Sequence, residues 1–199
     1  TVISLFAYEN PAVDGLLEQW RDAAEPIVLL VPEGRISGAV ARFFGLPSFA
    51  ATERTRAASG ARAERGSLRA HALAFVPQTG FDALLWASHL NFVRGEDSFV
   101  RAQWAQRPFV WHIYPQADDA HLPKLDAAFA HYAAPLPAPE RQAMGRFWHA
   151  WNGDGTPDWT DFWAHRAAYE ARAAAWSEEL AALGDLAENL AQFAKSQLK

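Results

Sequence analysis

Apolar and polar positions along this chain change period partway, and the change divides it into two stretches. Val2-Ile3-Ser4-Leu5-Phe6-Ala7 is a short, nearly continuous apolar run closed by the turn signal Asn10-Pro11, which predicts a buried strand. Leu16, Leu17 and Trp20 then fall on one face of a short amphipathic helix. Ile27-Val28-Leu29-Leu30-Val31 is apolar throughout and rich in β-branched residues, as a strand covered on both faces of a parallel sheet requires, and Pro32 stops it. Ile36 to Phe44 predicts a second helix and Leu68 to Val76 a third strand. Thr79 stands where it would cap a helix running through Leu84, Leu85 and Trp86, with Asp82 three residues on as a weak capping box. His89 to Val93 predicts a fourth strand, Ser98 to Gln106 its helix, and Pro108 to Ile113 a fifth strand. Strands alternating with helices predict an α/β domain, a Rossmann-like doubly wound parallel sheet with right-handed crossovers.

From about residue 118 the pattern is helical only. Thr156-Pro157-Asp158 is a helix start, with Thr as the cap and Pro in the first turn. Trp159, Phe162, Tyr169, Ala173, Trp176, Leu180 and Leu183 recur at spacings that fit one long helical face. Gly184 ends that helix and Asp185 caps the last one. No internal repeat interrupts this order, and the length of 199 residues fits one domain, with a terminal helical segment from about residue 158 to 199.

Composition narrows the chemistry. Half of the chain is apolar, enough for a sizeable core, and nine Trp and thirteen Phe must either fill that core or line a ligand cleft. The absence of Cys excludes disulfides, zinc-thiolate sites and thiol nucleophiles and is compatible with a reducing compartment. The longest apolar run falls far short of the ~20 residues that a membrane span needs, and Thr1-Val2-Ile3 begins directly on a strand pattern rather than a signal peptide. A cytoplasmic protein without membrane contact is therefore expected, and a chain starting on Thr is expected to be processed or cut from something longer. A net charge of −5 argues against a general nucleic-acid binder. Ala50 to Arg69, with five Arg and two Glu among small residues, reads as a solvated loop, or else as an anion-facing or partner-facing one.

The sequence contains no GxxxxGK[ST], GxGxxG, HExxH or GxSxG motif and no Asp-x-Asp clamp. Its seven His are scattered, so no metal site is expected, and His89 and His112 in strands read as satisfied core residues. The segment Arg94-Gly95-Glu96-Asp97-Ser98 is different, because it joins a strand end to a helix start. Ligands of open α/β sheets bind there, where unpaired first-turn N–H groups carry roughly half a positive charge and favour a diphosphate. Gly95 permits close backbone approach, Arg94 can neutralise a phosphate, Ser98 can donate a hydroxyl, and a carboxylate can grip ribose hydroxyls. Ordinary capping by Asp97 or Ser98 explains the same residues, and the local pattern leaves both readings open. Phe75, Gln78 and Phe81 fall at another strand end, where aromatic faces can stack on a base and Gln78 can read its edge. Phe6 and Tyr8 leave the first strand at the same sheet edge.

The stretch Asn91 to Trp104, followed by Pro108-Phe109-Val110-Trp111-His112-Ile113-Tyr114-Pro115-Gln116, closely resembles the EarP family, bacterial protein-arginine rhamnosyltransferases acting on elongation factor P. Ser4 to Asn10 and Phe75 to Trp86 resemble it too. The likeness runs through the whole chain but covers only the carboxyl-terminal half of such an enzyme. It implies one half of a two-domain GT-B fold that binds dTDP-β-L-rhamnose as co-substrate, without metal or other cofactor. It implies Phe75 stacked on thymine with Gln78 and Phe81 around it, Phe6 in the pocket wall, and Tyr8, Arg94, Asp97 and Ser98 near the diphosphate. Glu96 is implied among the residues needed for transfer, and Tyr114 is a further carry-over to the donor site. The reaction implied is inverting transfer of rhamnose to an arginine of elongation factor P, with a general-base Asp in the missing amino-terminal domain. Two alternatives remain: the donor domain of another GT-B transferase with a different nucleotide sugar, and a non-catalytic binding module using the Arg54 to Arg69 loop.

Overall fold

The structure, a computed structural model, describes residues 1–50, 61–75, 77–153 and 155–197. Among these residues, six strands form one sheet: β1 (Val2–Leu5), β2 (Ile27–Pro32), β3 (Arg62–Arg65), β4 (Leu68–Leu73), β5 (Leu90–Arg94) and β6 (Phe109–His112). Their order is β3-β4-β2-β1-β5-β6. Five strands are parallel, as the alternating pattern predicts, with Ile3 opposite Leu29 on one side and Leu90 on the other. The sixth, β3, is antiparallel to β4 and turns part of the predicted Arg-rich loop into a hairpin. Its alternating charges gave no strand signal because it is an edge strand, with three of its four residues exposed. The remainder of that loop, including Arg54 and Arg56, lies outside the described residues.

Helices α1 (Ala12–Arg21) and α2 (Ser37–Phe43) cover one face of the sheet, and α3 (Gln78–Ala87) and α4 (Asp97–Trp104) the other. β5 and β6 lie between two layers, and eight of their nine residues are buried. A buried polar link joins β1 to β5: the Ser4 hydroxyl donates to Asn91 Oδ1 at 2.5 Å, and Asn91 Nδ2 donates to the Leu85 carbonyl at 3.0 Å.

The carboxyl-terminal part contains α5 (Leu122–Ala133), α6 (Ala138–Asn152), α7 (Trp159–Ala164), α8 (Arg166–Ala182) and α9 (Leu186–Gln197). The single long helical face expected after Thr156 is broken at His165, whose φ of −99° and ψ of 13° end α7. Asp158, not Thr156, caps α7 by accepting from the Asp161 amide at 3.0 Å, while the Thr156 methyl packs against Gly15. Thr79 likewise caps nothing. Extended Pro77 precedes α3, and Asp82, which a capping box needs free, is held by Arg101. Gly184 takes the left-handed conformation at φ +75°, and Asp185 accepts from the Glu188 amide at 2.9 Å, as expected of the last helix.

These helices return to the sheet domain. Asn10 Nδ2 donates to the Trp151 carbonyl at 2.7 Å, and Gln19 Oε1 accepts from the Trp159 amide at 2.8 Å. On the other side, Trp176 Nε1 donates to Gln103 Oε1 at 2.9 Å. Phe147 stacks on Phe162 with centroids 4.1 Å apart, and Trp151 meets Phe92 of β5 at 4.7 Å. Most of the Trp and Phe therefore fill core between helices and sheet. Among the described residues of α5 to α9, those of α9 include no buried side chain, and Leu186, Leu190 and Phe193 are exposed.

Candidate functional site

Because β1, β2, β4, β5 and β6 run in one direction, their carboxyl ends share one edge of the sheet. The chain winds outward from β1 through β2 to β4, then restarts on the other side with β5 and β6. The gap above β1 and β5 is thus a topological switch point, where an open α/β sheet leaves room for a ligand. A cleft of about 620 Å³ lies there. Phe6, Tyr8, Phe75, Gln78, Phe81, Arg94, Glu96, Asp97 and Ser98 all line it, so residues far apart in sequence converge on one cleft. Tyr114 is set apart. It lines an adjoining cavity of about 240 Å³ that shares Tyr8 and Glu96 with the main cleft, and its ring stands edge-on to Tyr8 at 5.4 Å.

The strand ends are shorter than the apolar runs suggest, and this makes the cleft. β1 stops at Leu5 and β4 at Leu73, so Phe6, Tyr8 and Phe75 leave the sheet instead of extending it. Phe75 is 85% exposed, a flat ring face available to a planar ligand. Phe81 is half-buried and meets Phe6 edge-on at 5.3 Å, while Gln78 is exposed at the first position of α3.

At the other end, Arg94 lies between two rings, its guanidinium carbon 4.2 Å from the centre of Phe6 and 5.1 Å from that of Tyr8. Such contacts contribute ~0.5–2 kcal/mol each, and here they also aim the cation. Its Nη1 donates to the Ala7 carbonyl at 3.3 Å. Burial lowers the Arg94 pKa from its ordinary value, Tyr8 opposes this and Arg35 adds to it, yet an arginine stays charged at neutral pH. Burial likewise raises the Tyr8 hydroxyl, with Arg94 pulling it back.

Gly95 makes the turn. At φ +60° it occupies the left-handed region, and a Cβ there would lie 2.8 Å from the Tyr8 hydroxyl. Its amide donates to the His112 carbonyl at 3.2 Å, and its carbonyl accepts from Trp111 Nε1 at 2.7 Å. No side chain caps α4, so its first-turn amides are left to the cleft. The Ser98 hydroxyl, expected to donate to a ligand, is engaged locally instead: it accepts from the Arg94 amide at 2.9 Å and donates to the Arg94 carbonyl. It thereby fixes the backbone that carries the guanidinium. Asp97 is mostly exposed and accepts from Arg101 Nε at 3.1 Å. Glu96 is exposed and pairs with Lys124 Nζ at 3.0 Å.

Four neighbours were not anticipated. Arg101 and Glu33 line the cleft, Arg35 acts electrostatically on Arg94 and Tyr8, and Lys124 holds Glu96. The Asp97–Arg101 pair was readable from its i, i+4 spacing, whereas Arg35 and Lys124 come from other elements that only the fold brings near. Both histidines depart from the expectation of satisfied core residues. His89 is exposed just before β5, where its Nδ1 accepts from the Val2 amide at 3.0 Å. His112 is buried with no partner for Nδ1, between Tyr8 at 5.3 Å and Trp151 at 5.7 Å. Burial first, and then the charges of Arg94 and His121, push its pKa down from 6.5 to about 4.

A second groove of similar size, about 610 Å³, opens where β2 begins, between Trp159, Trp163 and the acidic side chains Glu18, Asp22 and Glu25. Volume does not separate the two, and three carboxylates line each, with Arg166 beside the second; what sets the switch-point cleft apart is Arg94 held next to the start of α4, where a diphosphate is attracted. Among the described residues, no group of three or more His, Asp or Glu is placed to hold a metal ion, and no helix is long and apolar enough to cross a membrane.

Residues 1–195 match the family model described as Elongation-Factor P (EF-P) rhamnosyltransferase EarP. A protein-arginine rhamnosyltransferase of Pseudomonas aeruginosa is 45% identical over 194 residues, 96% of this chain and 50% of that protein. One from Pseudomonas putida is 40% identical over 200 residues, 99% of this chain and 51% of that protein. A solved structure described as the basis for EarP-mediated arginine glycosylation of translation elongation factor EF-P superposes with a TM-score of 0.85 at 38% identity, covering 98% of this chain and 60% of that one. The chain spans about half the length of the curated relatives it matches.

Proposed function

Because this chain belongs to the EarP family of EF-P rhamnosyltransferases, we propose that it is the donor-binding half of a GT-B protein-arginine rhamnosyltransferase and that its switch-point cleft takes dTDP-β-L-rhamnose. The observation that carries this reading is the pairing of opposite chemistries in one cleft. An exposed aromatic face with Gln78 lies at one end, and Arg94 beside an uncapped helix start lies at the other.

Thymine stacks on Phe75, with Gln78 offering both a donor and an acceptor to its edge, and Phe6 and Phe81 form the wall. The diphosphate lies against Arg94, Tyr8 and the first amides of α4, while Ser98 keeps the turn in shape. Asp97 lies near the diphosphate and Tyr114 at the margin toward the sugar. An arginine guanidinium nitrogen of elongation factor P attacks the anomeric carbon, the bond from that carbon to the diphosphate oxygen breaks, and the sugar inverts. Charge accumulates on the leaving dTDP, and Arg94 with the α4 dipole stabilises it, so no metal is required in this scheme. A guanidinium is a poor nucleophile while charged, so a carboxylate must orient or deprotonate it. Glu96 assists from this half. The general base belongs to the other half of the enzyme, which this chain does not contain, so the chain alone binds the donor and transfers nothing. Such an enzyme works in the cytoplasm, where its acceptor takes part in translation.

Calorimetric titration of the chain with dTDP and with UDP tests the assignment. Measurable binding of dTDP, weaker binding of UDP and no sugar transfer are expected. UDP bound as tightly as dTDP would point to another nucleotide sugar, and heat from neither would remove the donor reading.

A further inference from the structure

Arg101 holds two helices of the cleft wall at once. Its Nη1 donates to both carboxylate oxygens of Asp82 in α3, at 2.9 and 3.0 Å, and its Nε donates to Asp97 Oδ2 at the start of α4, at 3.1 Å. The Arg101 and Asp82 side chains are only 24% and 29% exposed, and Arg101 itself lines the cleft. α3 carries Gln78 and Phe81, and α4 begins beside Arg94. One guanidinium thus links the aromatic end of the cleft to its cationic end. It also faces an electrostatic conflict, because Asp97 puts a carboxylate where a diphosphate is to bind, and like charges that close cost binding energy.

We propose that Arg101 is a positioning residue of the donor cleft. It locks α3 to α4 so that both ends meet one ligand, and it offsets the Asp97 charge that would otherwise repel the diphosphate. The inference rests on the donor-cleft reading. Arginine alone suits this position, because its planar fork makes three hydrogen bonds in fixed directions to two carboxylates, which a lysine ammonium on a flexible stem does not reproduce. With Oδ2 held by Arg101, the other oxygen of Asp97 can accept from a hydroxyl of the ligand, so its loss weakens binding when Arg101 is in place, even though its charge opposes the diphosphate.

The full chain is titrated with dTDP, thymidine and inorganic pyrophosphate, each variant being checked for folding by thermal melting. Arg101→Met is expected to weaken dTDP about tenfold or more, a loss of one decade in Kd, while thymidine changes little. Adding Asp97→Asn is expected to recover part of the lost dTDP affinity in the Arg101→Met background, although the same change weakens binding in the unaltered chain. That reversal of sign follows from charge compensation and not from a merely structural role. Should Arg101→Met fail to fold, Asp82→Asn keeps the shape and Arg101 but weakens the lock. It is expected to weaken dTDP several-fold and to leave pyrophosphate unchanged. The inference is overturned if Arg101→Met and Asp82→Asn bind dTDP like the unaltered chain, or if Asp97→Asn restores nothing while all three ligands weaken in parallel with melting temperature. Failure of the unaltered chain to bind dTDP would instead remove the donor reading and this inference with it.

Discussion

Phe75 and Trp148 are both large aromatic side chains beside the same sheet, yet one leaves 85% of its surface in solvent and the other none. Trp148 sits in the helical layer against β6, near Phe109 and Phe129 at 5.7 Å each and stacked on Tyr132. Phe75 stands past the end of β4, where the sheet no longer covers it. Composition alone could not divide the Trp and Phe of this chain between core and cleft. Position relative to a strand's carboxyl end separates these two: the ring behind the sheet holds it together, and the ring just beyond a strand end stays open to the cleft. The two populations should therefore fail separately, one in stability and one in binding.

The largest effect belongs to the buried population. Trp148→Ala removes a fully buried indole and leaves a cavity that rigid neighbours fill poorly, so a loss of about 3–5 kcal/mol is expected. Urea unfolding followed by circular dichroism measures it. A loss below about 1 kcal/mol would mean that the helical layer is not part of the cooperative core, and the division between the two populations would break.

His112 lies on the border, with Tyr8 of the cleft on one side and Trp151 of the core on the other. Its folded pKa of about 4 lies below the unfolded value of 6.5, so between these pH values the unfolded chain binds the proton and the folded chain does not. The His112 contribution is complete above about pH 6.5 and is lost as pH falls toward 4. At 1.36 kcal/mol per pH unit, the difference approaches roughly 3 kcal/mol. Urea midpoints measured from pH 7 to 4 should fall in the unaltered chain and fall less in His112→Phe. Equal slopes would place the imidazole in contact with water, on the cleft side of the border.

Phe75→Ala tests the exposed population. It should leave the melting temperature nearly unchanged, because so little of the ring is buried, while base binding weakens by ~1–3 kcal/mol. Titration with dTDP beside a thermal melt reads both quantities. A marked fall in stability would show that Phe75 belongs with the core.

Much of this division was legible in the sequence. The five parallel strands and their helices followed from apolar runs and punctuation, and the lining of the candidate cleft followed from reading what stands just after each strand. What escaped had local causes. β3 is an edge strand without an apolar face, so its charges looked like a loop. Pro77 and Asp158 took the helix starts assigned to Thr79 and Thr156, since an extended backbone and a free carboxylate decide a cap more than residue type does. The Ser98 hydroxyl was read as a ligand donor, but a short loop lets it reach Arg94 first. Arg35 and Lys124 carry no local signal, for each arrives from an element distant in sequence.

Gly95 is where backbone conformation, core and cleft meet, and its two roles can be separated. Gly95→Ala faces a left-handed φ, costing about 1–2 kcal/mol, and a Cβ that meets the Tyr8 hydroxyl at 2.8 Å. Stability should fall by about that amount, and dTDP affinity should fall as well, because Tyr8 must move. Asn tolerates the left-handed region better than Ala, so Gly95→Asn should recover much of the stability but none of the affinity. Thermal melts and titrations of both variants distinguish the terms. If Gly95→Asn restores binding along with stability, the close approach to Tyr8 does not shape the cleft, and Gly95 serves only the turn. If binding stays weak in a stable variant, the turn leaves out a side chain to make room for Tyr8 in the cleft wall.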